Sequence, residues 1–201
     1  MDKIMLKRLF DIIFSFFGFL ITLPIFLAIV ILIKKDSPGP ALYKAKRMGK
    51  NGRIFTMYKF RTMVQNADKI GGPSTSADDP RMTKIGFFLR KYKLDELPQF
   101  LNILKGDMSF VGPRPEVPSE VETYNPEIKK IILSVKPGLT DLASLADLHE
   151  EEVLRGSADP HQTYREKIQP QKLRLQQEYI KNRSFIMDIK ILYKTFLNVI
   201  K

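Results

Sequence analysis

Between Ile12 and Ile33 the chain carries no charged residue, and a run of that kind limits the surroundings in which the chain can fold. As a helix it would be roughly 33 Å long, against a bilayer hydrocarbon core of about 30 Å. A secretory signal peptide would have a shorter apolar region, about 7–15 residues, ending at a small-residue cleavage site. This run ends in Ile31-Leu32-Ile33-Lys34-Lys35 instead, so residues 1–35 are expected to remain as a membrane anchor. Whether the anchor crosses is a separate matter. Pro24 removes a backbone donor near its middle, where a kink or break is expected, and Thr22 is close enough to bond groups freed there. Basic residues flank both ends: Lys3, Lys7 and Arg8 before, and Lys34, Lys35, Lys44, Lys46 and Arg47 after. Basic flanks favour the cytoplasmic side. A helix that enters and returns satisfies both clusters, and a Pro-kinked single span satisfies one; the residues alone leave both open.

Beyond the anchor, residues 36–201 suit one globular domain. The net charge of +11 points to an anionic partner. No helix-turn-helix, zinc-finger or RNA-binding signature accompanies it, so phospholipid and phosphorylated substrates are favoured and nucleic acid is not. The chain has no cysteine, which excludes disulfides and thiolate chemistry and fits a reducing compartment.

The expected class is α/β, mostly helical with a few short strands. Lys50-Asn51-Gly52-Arg53 reads as a hairpin turn between Ala41–Tyr43 and Ile54–Tyr58. Residues 71–80 read as a surface loop, followed by a helix over Met82–Lys91 with Asp79 as its cap and Pro80 at its first position. From Asp95 to Gly106, Leu97, Phe100, Leu101 and Leu104 follow helical spacing. Met108–Val111 suits a short strand, Pro126–Leu133 a helix, and residues 170–181 a charged helix. Phe185, Ile189, Leu192, Phe196 and Ile200 then trace one apolar stripe beside Lys190, Lys194 and Lys201. Such a helix lies at a membrane interface or packs on the core.

Candidate chemistry gathers at a few positions. Asp95 and Glu96 are adjacent carboxylates at a helix start, where Asp is a favoured cap and acids suit the helix dipole. The same placement, with helix-terminal donors keeping Asp95 ionised, would let Asp95 attack phosphorus or hold a divalent metal. Glu96 could relay a proton or share the metal. Arg114 lies between Pro113 and Pro115, so a guanidinium suited to phosphate oxygens starts from a stiff backbone. Strand alternation would place Lys59 and Arg61 on one face.

Four blocks then occur in order: Lys7-Arg8-Leu9-Phe10-Asp11, Tyr58-Lys59-Phe60-Arg61-Thr62-Met63, Leu94-Asp95-Glu96-Leu97-Pro98-Gln99, and Lys105-Gly106-Asp107-Met108-Ser109-Phe110-Val111-Gly112-Pro113-Arg114-Pro115. Together they resemble the bacterial sugar transferase family of monotopic phosphoglycosyl transferases, in its minimal form. The resemblance implies transfer of a sugar-1-phosphate from a UDP-sugar to undecaprenyl phosphate, with UMP released. Asp95 would be the nucleophile and carry the phosphosugar, Glu96 would assist, and Mg²⁺ would sit at Asp95. Lys59, Arg61, Pro113, Arg114 and Pro115 would form the substrate site. It also implies a re-entrant anchor broken at Pro24, interfacial amphipathic helices, and a place on the cytoplasmic face of a bacterial inner membrane. A homodimer stands among the expected assemblies. The rival from another class is a membrane-tethered scaffold binding anionic lipid or an assembly partner. Two departures bear on detail: Leu23 stands before Pro24 where members often have Ser, and Asp141 follows Thr140 where many have Gly.

Overall fold

The computed structural model describes residues 3–70, 79–146 and 150–200. The outer part of the 71–80 loop, residues 71–78, lies outside them. Helices dominate, with short strands in two small sheets, as the composition of the segments leads one to expect. Helix α1, Lys3–Asp36, is the one helix among the described residues long and apolar enough to cross a membrane. It continues through Pro24 rather than breaking there. Pro24 lies on the exposed side, and it leaves the Leu20 carbonyl without its helical donor. The Thr22 hydroxyl does not answer that carbonyl; it donates to Gly18 O at 2.7 Å, half a turn earlier.

One side of α1 meets the rest of the protein from end to end. Arg8 donates to the Ile103 and Leu104 carbonyls, and Asp11 and Ser15 are buried. Gly18 lies against the Phe100 ring. The Phe26 and Phe60 rings are 4.5 Å apart, and Ile29 and Ile33 are buried with Phe60 and Leu89. Apart from the two-turn gap between Gly18 and Phe26, these positions follow in steps of three and four, the spacing of a packed helical seam. The other side, including Phe14, Phe17, Ile21, Leu27 and Ile31, is exposed and apolar.

Strands β1 (Leu42–Met48) and β2 (Ile54–Phe60) form an antiparallel hairpin with Leu42 opposite Phe60 and Met48 opposite Ile54. Asn51 and Gly52 in the turn have φ of 58° and 77°, the left-handed backbone that Asn and Gly tolerate. Ala45, Phe55 and Met57 on one face pack with Ile103 and Met108. After α2 (Ala67–Ile70), Met63 and Met82 form a short bridge, and α3 (Lys84–Lys91) follows. The expected Asp79 cap is replaced by Thr83, whose hydroxyl accepts from Gly86 N at 3.0 Å. Asp79 instead binds its near neighbour Arg81, because the bridge holds this stretch extended for two residues longer. Gly86 is where α3 crosses the chain after β2: a Cβ there would lie 1.9 Å from Thr62 O.

Helix α4 (Gln99–Lys105) ends at Gly106. Strand β3 (Ser109–Val111) pairs in parallel with β4 (Gly138–Thr140), across α5 (Pro118–Val121) and α6 (Pro126–Ile132). Short helices α7 (Leu142–Leu145), α8 (Glu150–Val153) and α9 (Pro160–Thr163) lead through a π-helical turn into α10 (Gln169–Asn182). Helix α11 (Phe185–Ile200) closes the described chain. The face that packs inward is not the expected stripe: of its residues Ile189 and Phe196 are exposed and Phe185 and Leu192 are half-buried. Asp188 and Ile191 face inward, while Ile186, Ile189, Tyr193 and Phe196 stay exposed. Lys7 ties this end to α1: its Nζ donates to Asp188 at 2.5 Å and to Val111 O at 2.9 Å.

Candidate active site

The two adjacent carboxylates sit ahead of α4 rather than at its cap. Lys93 takes a left-handed backbone with φ of 55°, and Leu94–Glu96 then form one 3-10 turn. Pro98 precedes the first helical residue of α4, so no cap donor falls on Asp95. The expectation that helix-terminal amides hold Asp95 therefore fails: among the described residues no hydrogen bond reaches its carboxylate. The tight turn points both acids toward the hairpin, where they are 5% and 9% exposed.

Lys59, near the end of β2, meets both acids. Its Nζ lies 2.9 Å from Glu96 Oε1 and 3.6 Å from Asp95 Oδ2. Arg114 approaches from the segment after β3, and its guanidinium also donates to Glu96. Glu96 is thus enclosed by two cations, and Asp95 lies beside them with its oxygens unbonded.

The two acids are pushed in opposite directions. Burial raises the Asp95 pKa and Glu96 adds to the rise, against a pull from Lys59. Burial also opposes the charge of Glu96, but Arg114 and Lys59 together hold it well below the usual carboxylate range. Acid pairs whose environments differ in this way divide their roles. Here Glu96 is an anion held between two cations, and Asp95 meets only Lys59, at 3.6 Å.

Arg114 is held by more than its two prolines. Its backbone N–H donates to Asp141 Oδ2 at 3.2 Å, and Gln176 of α10 donates to the same oxygen at 3.0 Å. Asp141 Oδ1 accepts from the Ser144 amide at 2.7 Å and from its hydroxyl at 2.8 Å, which caps α7. Asp141 is fully buried. It is a hub that fixes the Arg114 backbone, a role local sequence did not reveal because Gln176 lies 35 residues further on. Pro113, Arg114 and Pro115 line a shallow hollow together with Met48, Gly49 and Gln176.

Arg61 is not brought to this site. Strand β2 ends at Phe60, so the alternation that would pair Arg61 with Lys59 stops one residue short. The guanidinium is buried instead at the end of α1, donating to the carbonyls of Ser37 at 2.7 Å and Pro38 at 2.6 Å. Those carbonyls lie just past the helix end, and a longer bond at 3.4 Å reaches Ile33 O in its last turn. Arg61 therefore fastens the anchor to the domain.

No group of three or more His, Cys, Asp or Glu side chains suited to a metal occurs among the described residues. Within this site Asp95, which faces Lys59 at 3.6 Å without a hydrogen bond, is the carboxylate that could take a metal. That fits Mg²⁺ in the manner of phosphate enzymes, where one or two carboxylates suffice and the substrate's phosphates and water supply the other ligands.

The sequence profile described as bacterial sugar transferase matches residues 2–201. The chain belongs to the bacterial sugar transferase family. It is 37% identical over 197 residues to the UDP-N-acetylgalactosamine-undecaprenyl-phosphate N-acetylgalactosaminephosphotransferase of Aeromonas hydrophila, covering 97% of this chain and 44% of that protein. It is 37% identical to the UDP-glucose:undecaprenyl-phosphate glucose-1-phosphate transferase of Escherichia coli K12, covering 95% of this chain and 39% of that protein. An exopolysaccharide production protein of Rhizobium leguminosarum is 38% identical, and the match takes in 97% of this chain and 95% of that one. The chain thus spans less than half of the first two relatives and nearly all of the third. Within this bacterial sugar transferase, Lys59, Asp95, Glu96 and Arg114 are drawn together from two of the four sequence blocks and the hairpin strand that carries a third.

Proposed function

We propose that this chain transfers a sugar-1-phosphate from a UDP-sugar to undecaprenyl phosphate by way of a phosphosugar carried on Asp95. The observation that carries the reading is the buried, unbonded Asp95 carboxylate beside two cations ordered by Glu96. An Asp95 oxygen attacks the phosphorus bonded to the sugar, and the bond from that phosphorus to the bridging oxygen breaks. UMP leaves with that oxygen. A phosphate oxygen of the lipid then attacks the same phosphorus, and the Asp95 carboxylate departs. Lys59 favours the ionised form of Asp95 against the burial that raises its pKa, and with Asp95 ionised each attacking group is an anion and neither step needs a base. A firmly ionised Glu96 suits this better than the proton relay expected from its position beside Asp95.

Lys59 and Arg114 lie where charge gathers on the transferred phosphate, and fixed cations are the main aid a protein gives phosphoryl transfer. Mg²⁺ held at Asp95 would offset the charge of the diphosphate. The donor and acceptor classes follow the names of the Aeromonas and Escherichia relatives. A panel of UDP-sugars assayed for UMP release with undecaprenyl phosphate and Mg²⁺ tests the reading. One sugar is expected to support release; release from none of them would return the scaffold reading to the front.

The same proposal puts both ends of α1 on the cytoplasmic side of a bacterial inner membrane, as the re-entrant form requires, without the break at Pro24 that was expected to turn it back. Its support is the continuous seam and the two fastenings, Lys7 at one end and Arg61 at the other. Pinning both ends to one domain is hard to reconcile with a helix whose ends face opposite compartments. The exposed Phe87 and Phe88 of α3, Tyr92 just after it, and the outer residues of α11 would rest in the lipid interface. Tags at both termini are then expected to react only from the cytoplasmic side. A terminus reached only from outside the cell would rule out the re-entrant form.

A further inference from the structure

Arg47 is a cation of the hairpin whose charge no acid answers. In the antiparallel register Tyr43 stands opposite Lys59, and Arg47 opposite Phe55. Strand alternation puts Tyr43, Ala45 and Arg47 on the face that carries Phe55, Met57 and Lys59. That face looks into the domain, because Ala45, Phe55 and Met57 are buried there with Ile103 and Met108. The end of β1 is tied to the chain just past Arg114, where Met48 N donates to Glu116 O at 3.0 Å. Arg47 and Arg114 are close enough for their charges to oppose each other. Burial pushes the Arg47 pKa down, Glu116 and Tyr43 pull it up, and Arg114 pushes it down again. Its guanidinium donates to the adjacent Lys46 carbonyl at 3.0 Å, and among the described residues it forms no ion pair. Glu116 is engaged elsewhere, 2.9 Å from Lys172 Nζ and 2.9 Å from the Tyr164 hydroxyl.

Glu96 and an ionised Asp95 cancel the charges of Lys59 and Arg114, so that cluster alone brings no net positive charge to a diphosphate. Neighbouring guanidinium groups, one of them unpaired, suit an anion shared between them. We propose that Arg47 binds the nucleotide phosphate, the one that leaves as UMP, while Lys59 and Arg114 serve the phosphate that Asp95 attacks. This rests on the phosphosugar transfer described above. When the bond from the sugar-linked phosphorus to the bridging oxygen breaks, the electron pair stays on that oxygen and the UMP phosphate gains a negative charge. A cation bound to that phosphate steadies the charge as it forms. The second step, transfer to the lipid phosphate, follows the departure of UMP and does not use Arg47.

The test measures UMP binding to the full chain by calorimetry in detergent, wild type against Arg47→Gln, alongside thermal unfolding. The dissociation constant for UMP is expected to rise about tenfold or more, the scale of a lost charge-assisted hydrogen bond. Formation of the phosphosugar enzyme should slow with it, while enzyme already loaded passes its phosphosugar to undecaprenyl phosphate at the wild-type rate. The melting temperature is expected to hold, because no ion pair is lost. UMP affinity equal to wild type, or equal slowing of both steps, overturns the proposal. Should Arg47→Gln fail to fold, Arg47→Lys carries the same test: the charge remains, the planar fork is lost, and UMP affinity is expected to fall. An unchanged affinity there overturns the proposal too. Wild-type protein that neither binds UMP nor releases it from any UDP-sugar would sink the transfer reading itself, which separates the two failures.

Discussion

Replacing Asp95 with asparagine is expected to stop UMP release, with turnover down by at least about three orders of magnitude, while folding and membrane attachment persist. The amide cannot form the bond to phosphorus, yet it fills the same space. Stability should not suffer, because burial already works against the Asp95 charge and no hydrogen bond depends on it. The change even removes one of two like charges that face each other across the turn. Thermal unfolding and detergent extraction of the variant measure the second half of this expectation, and the UDP-sugar assay the first. Wild-type turnover in Asp95→Asn would discard the nucleophile assignment.

Removing the Asp141 carboxylate should have the largest effect on stability. Asp141→Ala leaves the Arg114 amide, the Ser144 amide and hydroxyl, and the Gln176 side chain without their acceptor. Buried donors stranded in this way cost about 1–3 kcal/mol each, though some recover water. A loss of roughly 3 kcal/mol or more is expected, a fall in melting temperature of roughly 6–12 °C for a domain this size. Activity should fall further than stability, because Arg114 loses the contact that fixes its backbone. Asp141→Asn separates the effects: one oxygen still accepts, so about half the stability loss is expected. An Asp141→Ala protein as stable as wild type would show that the hub carries little weight.

The sequence blocks made the paired carboxylates and their arginine legible because they are compressed into short runs. The hairpin was legible for the same reason: Asn51 and Gly52 suit a left-handed turn, and alternating apolar residues flank it. What escaped lies in contacts across long separations. Arg61 looked like a companion to Lys59 until the strand ended at Phe60 and left its guanidinium beside the carbonyls at the end of α1. Asp95 looked like a helix cap, but Pro98 delays the helix and the acids fall on a 3-10 turn instead. Asp141 stood out only as a departure from the family pattern, and its meaning depends on Gln176. The anchor hid most. Its uncharged run was plain, yet the small and polar positions Asp11, Ser15 and Gly18 mark a seam only when β3 and α4 are known to lie against them.

That seam gives the anchor a share in the chemistry. Lys7, Asp11 and Arg8 bind the strand and helix that present Arg114 and the acids. The candidate site is therefore built partly on the long apolar helix, which on the proposed reading is where a lipid phosphate and a nucleotide sugar would meet.

The central claim is that Asp95 carries the phosphosugar, and the direct measurement is mass spectrometry of protein quenched after mixing with a UDP-sugar and Mg²⁺ but no lipid acceptor. The account predicts an added mass equal to the sugar phosphate on the peptide that contains Asp95, absent in Asp95→Asn and lost when undecaprenyl phosphate is supplied. Unmodified protein in a reaction that nevertheless forms the lipid-linked product, or the added mass on another residue, would contradict it.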